Sequence, residues 1–297
     1  MFDLRYHVAS LAAVFIALVI GILVGVGVSS QGIISTNERD VLNERIDELK
    51  RQRDSARQRA TDLSRAQRAA QTFVERTYPA LMSARLQETR VALLFVGSVD
   101  GELQSRIDET LRDAGSPRAI RLRALKVPLD VRAINRILAS RPALARYVGA
   151  GQLDDLGGAM AAEFVAGGRT PLWTALTRQL VEERDGSAQE PIDAVVVVRS
   201  VPAQPRGTGR FLGGLYRGLT GSGASVVGVE GTGSQGTAIE TYRKYGLSSV
   251  DDIDTRAGRL ALAVLLSGGE SGHYGVKATA DDLLPPVEPV SVTTTSG

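Results

Sequence analysis

An unbroken apolar run, Val8 to Val28, opens the chain, and a charged segment with a seven-residue repeat follows almost at once. A helix of about 20 apolar residues spans the roughly 30 Å of a bilayer's hydrocarbon core. The pattern predicts a transmembrane helix over 8–28, after a short cytoplasmic N-terminus of residues 1–7. The run exceeds the apolar region of a secretory signal, and only Arg5 precedes it with positive charge. Val26-Gly27-Val28-Ser29-Ser30 is a poor cleavage site. An uncleaved signal-anchor is therefore expected, in the cell membrane, single-pass, with most of the chain on the extracytoplasmic side.

From 38 to 88 the sequence is polar, with sparse apolar positions at heptad spacing. With Leu42 at d, the d row reads Leu42, Leu49, Ala56, Leu63 and Ala70, and the a row Arg39, Ile46, Arg53, Ala60, Gln67 and Val74. This predicts a coiled-coil stalk with a weak seam, and Leu42, Ile46, Leu49, Leu63 and Val74 are its interaction residues. A single long helix folded back on its own domain is the alternative. Pro79 disfavours helical geometry at Tyr78, so a break there and a short second helix to Gln87 are expected. Inside the apolar run, Ala9, Ala13, Ala17, Gly21 and Gly25 recur every four residues. Such a ridge lets two backbones approach, and makes Ala13, Ala17, Gly21 and Gly25 the residues of membrane self-association. Span and stalk together predict a parallel homodimer.

At Arg90 the periodicity changes again. Short apolar runs predict strands over 91–96, 192–198 and 225–229, each buried on both faces. Polar-apolar alternation over 118–127 predicts an edge strand, and 249–253 a short one. Helical patterns occupy 102–114, 131–139, 153–165, 171–183, 211–219, 237–245 and 256–266. Strands alternating with helices imply an α/β domain over 90–278, with a mainly parallel sheet and flanking helices. Residues 279–297, rich in Pro, Val and Thr, read as a disordered tail.

Candidate chemistry is sparse. Net charge is +2, cysteine is absent, histidine occurs at His7 and His273, and methionine at Met1, Met82 and Met160. Disulfides, thiolate metal sites and cysteine nucleophiles are thereby excluded. No metal site, no catalytic constellation and no cofactor are expected, and nucleic acid is not an expected partner outside the membrane. One motif carries a mechanism. Gly231-Thr-Gly233-Ser-Gln-Gly236 follows a strand and precedes a helix, the setting in which such a loop cradles a pyrophosphate. It falls on a late strand, so Gly231, Gly233 and Gly236 are weak cofactor-binding candidates, expected instead to serve turn geometry and helix–strand packing. A serine triad would have to use His273, and no nucleophile elbow accompanies it.

The opening Met1-Phe-Asp-Leu-Arg-Tyr-His-Val-Ala-Ser-Leu-Ala-Ala-Val-Phe15, running into Gly21-Ile-Leu-Val-Gly25, resembles the start of the actinobacterial MctB family. Val250-Asp-Asp-Ile-Asp-Thr-Arg-Ala-Gly258 and Gly272-His-Tyr-Gly275 carry the resemblance to the far end. It implies an actinobacterial envelope protein in one of two roles. One is that of an outer-membrane channel in copper homeostasis. The other is that of the SteB relatives, which are linked to septation and pair with the membrane protein SteA to control a peptidoglycan hydrolase. Copper sites favour thioether, thiolate and imidazole ligands, which are scarce here. A membrane barrel needs many strands with an apolar outward face, and short buried strands interleaved with helices do not supply them. A scaffold or regulator of cell-envelope machinery therefore ranks first. A copper-linked channel or homeostasis protein ranks second, and a nucleotide- or sugar-binding enzyme third.

Overall fold

The computed structural model describes residues 4–30, 36–116, 119–204, 206–234 and 237–289, in two compact units divided after Ala70. In the first unit, α1 (Leu4–Ser30) holds a 21-residue stretch, His7–Gly27, long and apolar enough to cross a membrane. The long helix α2 (Thr36–Met82) also starts here and is laced by short-range ion pairs such as Lys50–Asp47 and Arg51–Glu48. These exposed pairs are worth only a few tenths of a kcal/mol each. Over its exposed length α2 therefore has little but helix propensity to hold it as a single helix.

The second unit, from Gln71 onward, is an α/β domain around a seven-stranded sheet of order β3-β2-β1-β4-β5-β6-β7. The strands are β1 (Val91–Val96), β2 (Arg121–Leu125), β3 (Val181–Gly186), β4 (Ala194–Arg199), β5 (Ser225–Val229), β6 (Ser248–Val250) and β7 (His273–Tyr274). All neighbours pair parallel except β2 with β3. β1 and β4 occupy the centre, and their runs of Val and Leu are buried on both faces, as a doubly covered parallel sheet requires. Leu94 and Val96 face one core cluster with α4 (Val131–Ala139), α5 (Leu153–Ala166), α6 (Pro171–Leu180) and α7 (Arg206–Thr220). Leu93 and Phe95 face the other, with α3 (Gly101–Asp113) and α9 (Arg256–Leu266). The short α8 (Ile239–Lys244) completes the set.

Four expectations change here. α2 does not break at Tyr78-Pro79 but runs on to Met82, and turns replace the second helix to Gln87. Tyr78 and Met82 are buried, and the Tyr78 hydroxyl lies 3.0 Å from Asp113 Oδ2, so packing holds the last turn against proline's preference. β2 is not an edge strand. Its alternation arises because Arg121 is buried in the sheet, donating to the carbonyls of Ser187 (2.8 Å), Glu190 (2.5 Å) and Phe164. The edge on this side is β3, whose first three residues, 181–183, read as the end of a helix but belong to a charged, exposed strand that deters further pairing. Finally, the tail is ordered in its first part. Leu284 and Val287 pack on the core, Asp281 N–H donates to His273 O (2.7 Å), and Arg85 donates to Glu288 O (3.0 Å).

Candidate functional site

Ligands of open parallel sheets sit at the carboxyl ends of the strands. At that edge, a polar crevice of about 390 Å³ is lined by Asp100, Glu102, Arg106, Thr232, Ser234 and Asp254. It contains the glycine loop. Gly231 lies beside Asp254, Gly233 has open space around it, and Gly236 lies outside the described residues. A side chain at Gly231 would meet ordinary contact at 3.5 Å, and at Gly233 nothing within 4 Å. The expectation of a packing role is corrected for both. Replacing Gly233 by Ala should change unfolding free energy by less than about 0.5 kcal/mol, as read by denaturant titration.

Carboxylates of the chain already hold amides beside the loop. Glu230, after β5, already accepts from Ala238 N–H (3.0 Å) and the Thr237 hydroxyl (3.1 Å) in front of α8. Asp100 likewise accepts from Glu102 N–H and Leu103 N–H (both 3.1 Å) at the start of α3. Among the described residues, carboxylates of the chain itself hold the Ala238 amide and the first amides of α3, so a pyrophosphate would meet their negative charge there.

Behind the crevice lies a buried polar network that sequence reasoning did not assemble. Lys277 Nζ sits 2.6 Å from Glu230 Oε1. Asp251, 1% exposed, accepts from Val276 N–H (2.9 Å), which turns the chain so that Lys277 reaches Glu230. Asp252, fully buried, accepts from the Thr255 hydroxyl (2.8 Å) through Oδ2, while its Oδ1 has no partner. Burial, with the nearby Asp251 and Asp254 charges, pushes its carboxyl up to about 6. Ser249 Oγ lies 2.8 Å from His273 Nδ1, both buried, and burial followed by Arg243 lowers the imidazole's pKa. A serine–histidine pair this enclosed is closed to a substrate and ties β6 to β7. The acidic run after β6 was visible in the sequence, but the partners of Asp251 and Asp254 come from segments more than 20 residues away.

The copper ligands are dispersed. Met82 and Met160 are both buried, in clusters on opposite faces of the sheet. Among the described residues, no group of three or more His, Asp or Glu side chains is placed to hold a metal ion.

The residues expected to form the stalk's seam stand open on α2. Leu42, Ile46, Leu49, Leu63 and Val74 are 50, 47, 63, 70 and 39% exposed. Val41 and Phe73, not singled out by the heptad reading, are exposed beside them. On α1, Ala13, Ala17, Gly21 and Gly25 are exposed, and the two glycines have nothing within 4 Å of a would-be side chain.

The family model described as "Copper transport outer membrane protein, MctB" matches residues 1–285. The chain is similar to the Copper transporter MctB of Mycobacterium tuberculosis, in strains H37Rv and CDC 1551, and of Mycobacterium bovis. Identity is 26% over 304 residues in each case, covering 93% of this chain and 96% of each relative. A match that takes in the apolar N-terminal helix, the long helix and the α/β domain together shows that the chain belongs to the MctB family.

Proposed function

We propose that this chain is a membrane-anchored envelope protein that serves copper homeostasis, with its α/β domain on the extracytoplasmic side. The supporting observation is the breadth of the match, which spans all the parts of the chain and nearly the whole of relatives named as copper transporters. It favours the copper role over hydrolase control, reversing the order that ligand counting suggested. The dispersed thioethers and imidazole point to a structural part in copper handling, exerted through assembly, in place of metal held within one domain. Deleting the gene in its own host should change cell-associated copper, measured by mass spectrometry, and copper tolerance. The full chain should restore both, and a chain lacking residues 4–30 should not. Unchanged copper with defective septation would overturn this reading in favour of SteB-type regulation.

The exposed apolar row on α2 supports a second element of the proposal, that the stalk pairs with another helix. A second copy is the first candidate, because parallel chains leave the same membrane side. Leu49→Asp with Leu63→Asp places charge at two d positions and should abolish self-association of the detergent-solubilised chain, measured by sedimentation, while leaving the fold of the domain intact. Retained association would assign the stalk a spacer role.

A further inference from the structure

The cluster of helices α4, α5, α6 and α7 carries an arginine surface that neither the copper reading nor the polar crevice uses. Residues 128–152 and 201–224 hold seven arginines and one acidic residue, Asp130, while Asp154 and Asp155 at the start of α5 lie beside Arg146 and Arg217. Asp130 is itself engaged, accepting from Ala133 N–H (2.9 Å) at the start of α4. Arg132 and Arg136 are one turn apart on α4. Arg206, Arg210 and Arg217, at i, i+4 and i+11, form one stripe along α7. The two stripes are neighbours. A side chain at Gly207 would meet Val131 at 3.2 Å, Arg210 reaches the Ala150 carbonyl (3.5 Å), and Gly149 N–H donates to Asn135 on α4 (2.9 Å). Arg141 and Arg146 flank them, and all seven side chains are exposed.

The surroundings narrow the partner. Arg217 is paired with Asp154, and Arg146 stacks on Tyr147 at 4.8 Å. The described structure shows no acidic partner for Arg132, Arg136, Arg141, Arg206 or Arg210. A protein interface needs an apolar centre, and Val148 is the only large exposed apolar side chain between these helices among the described residues. Base stacking needs exposed aromatics, and Tyr147 is buried. A plane of phosphate headgroups needs positive charge alone.

We propose that this arginine face docks the domain onto an anionic phospholipid surface. The inference rests on the membrane-anchored part of the reading above and is independent of copper. The test uses the full chain, held in nanodiscs of phosphatidylcholine and mixed with free vesicles. Incorporation into the nanodisc checks the anchor separately. The chain should co-sediment with vesicles holding roughly 30% phosphatidylglycerol and not with pure phosphatidylcholine, and high salt should weaken it. Arg132→Gln, Arg136→Gln, Arg206→Gln and Arg210→Gln together should lower vesicle affinity more than about tenfold. The four corresponding Arg→Lys changes should keep it, since a lipid plane reads charge where a bidentate phosphate site reads the guanidinium fork. Arg57→Gln, Arg59→Gln and Arg65→Gln in the stalk should also leave it unchanged. Equal binding to both vesicle types, loss in the lysine or stalk variants, or retention in the glutamine variant would overturn the proposal. So would dimers formed without vesicles and lost in the glutamine variant, which would assign the face to a second copy.

Discussion

Gly214→Ala should destabilise the α/β domain by more than about 3 kcal/mol, a large share of the roughly 5–15 kcal/mol typical of folded domains. α5 and α7 touch backbone to backbone. A side chain at Gly214 would run into the Asp154 carbonyl, one at Gly157 into the Phe211 carbonyl and Leu215 N (2.7 Å), and one at Gly218 into Gly158 Cα (2.8 Å). The obstacles are main-chain atoms of a packed helix, which yield only if the helices separate. Gly158→Ala is the control. Its new methyl would lie 3.7 Å from Gly214 O, an ordinary contact, so helix propensity should leave the protein unchanged or up to about 1 kcal/mol more stable. Denaturant unfolding of the two variants separates crowding from propensity. Equal effects would mean that α5 and α7 do not approach this closely.

Asp252→Asn should stabilise the domain at neutral pH and not at acid pH. The folded carboxyl titrates at about 6, against 3.8 for an ordinary aspartate, so the folded state binds the extra proton between these values. The stability this group contributes is complete below about pH 4 and is lost as pH rises through 6. By pH 7 the loss approaches about 3 kcal/mol. Asparagine keeps an acceptor for the Thr255 hydroxyl and removes the buried charge. At pH 7 its melting temperature should exceed that of the parent by roughly 6–12 °C, with the gap closing toward pH 4. A gap independent of pH would show that Asp252 does not titrate in this range.

The strands and helices that sequence reasoning placed well are those whose pattern is local. Val91–Val96 is apolar throughout because both sheet faces are covered, and the helical periodicity of 256–266 matches Arg256–Leu266. The errors fall where a distant partner overrides a local preference. Pro79 stays helical because Tyr78 and Met82 are held in the core. Arg121 sits in the sheet because three carbonyls from residues 164–190 receive its guanidinium. β3 is a strand because β2 pairs with it, although its charged residues read as helix. The glycine loop matched a phosphate-binding pattern, yet among the described residues Glu230 holds the Ala238 amide and Asp100 the first amides of α3, beside that loop. The glycines under real constraint, Gly157 and Gly214, stood unnoticed inside helical patterns, since only the pairing of α5 with α7 reveals what their missing side chains permit.

The sequence by itself determined the apolar N-terminal helix, the long charged helix, the alternating α/β plan and the family resemblance, because length, periodicity and local signature residues carry these. The tertiary structure decided the strand order, the buried Glu230–Lys277 and Asp252 network, the dispersal of Met82, Met160 and His273, and the joining of two arginine stripes into one face. Each of these depends on side chains far apart in the chain meeting in space, where burial and charge, and not local pattern, set the energy.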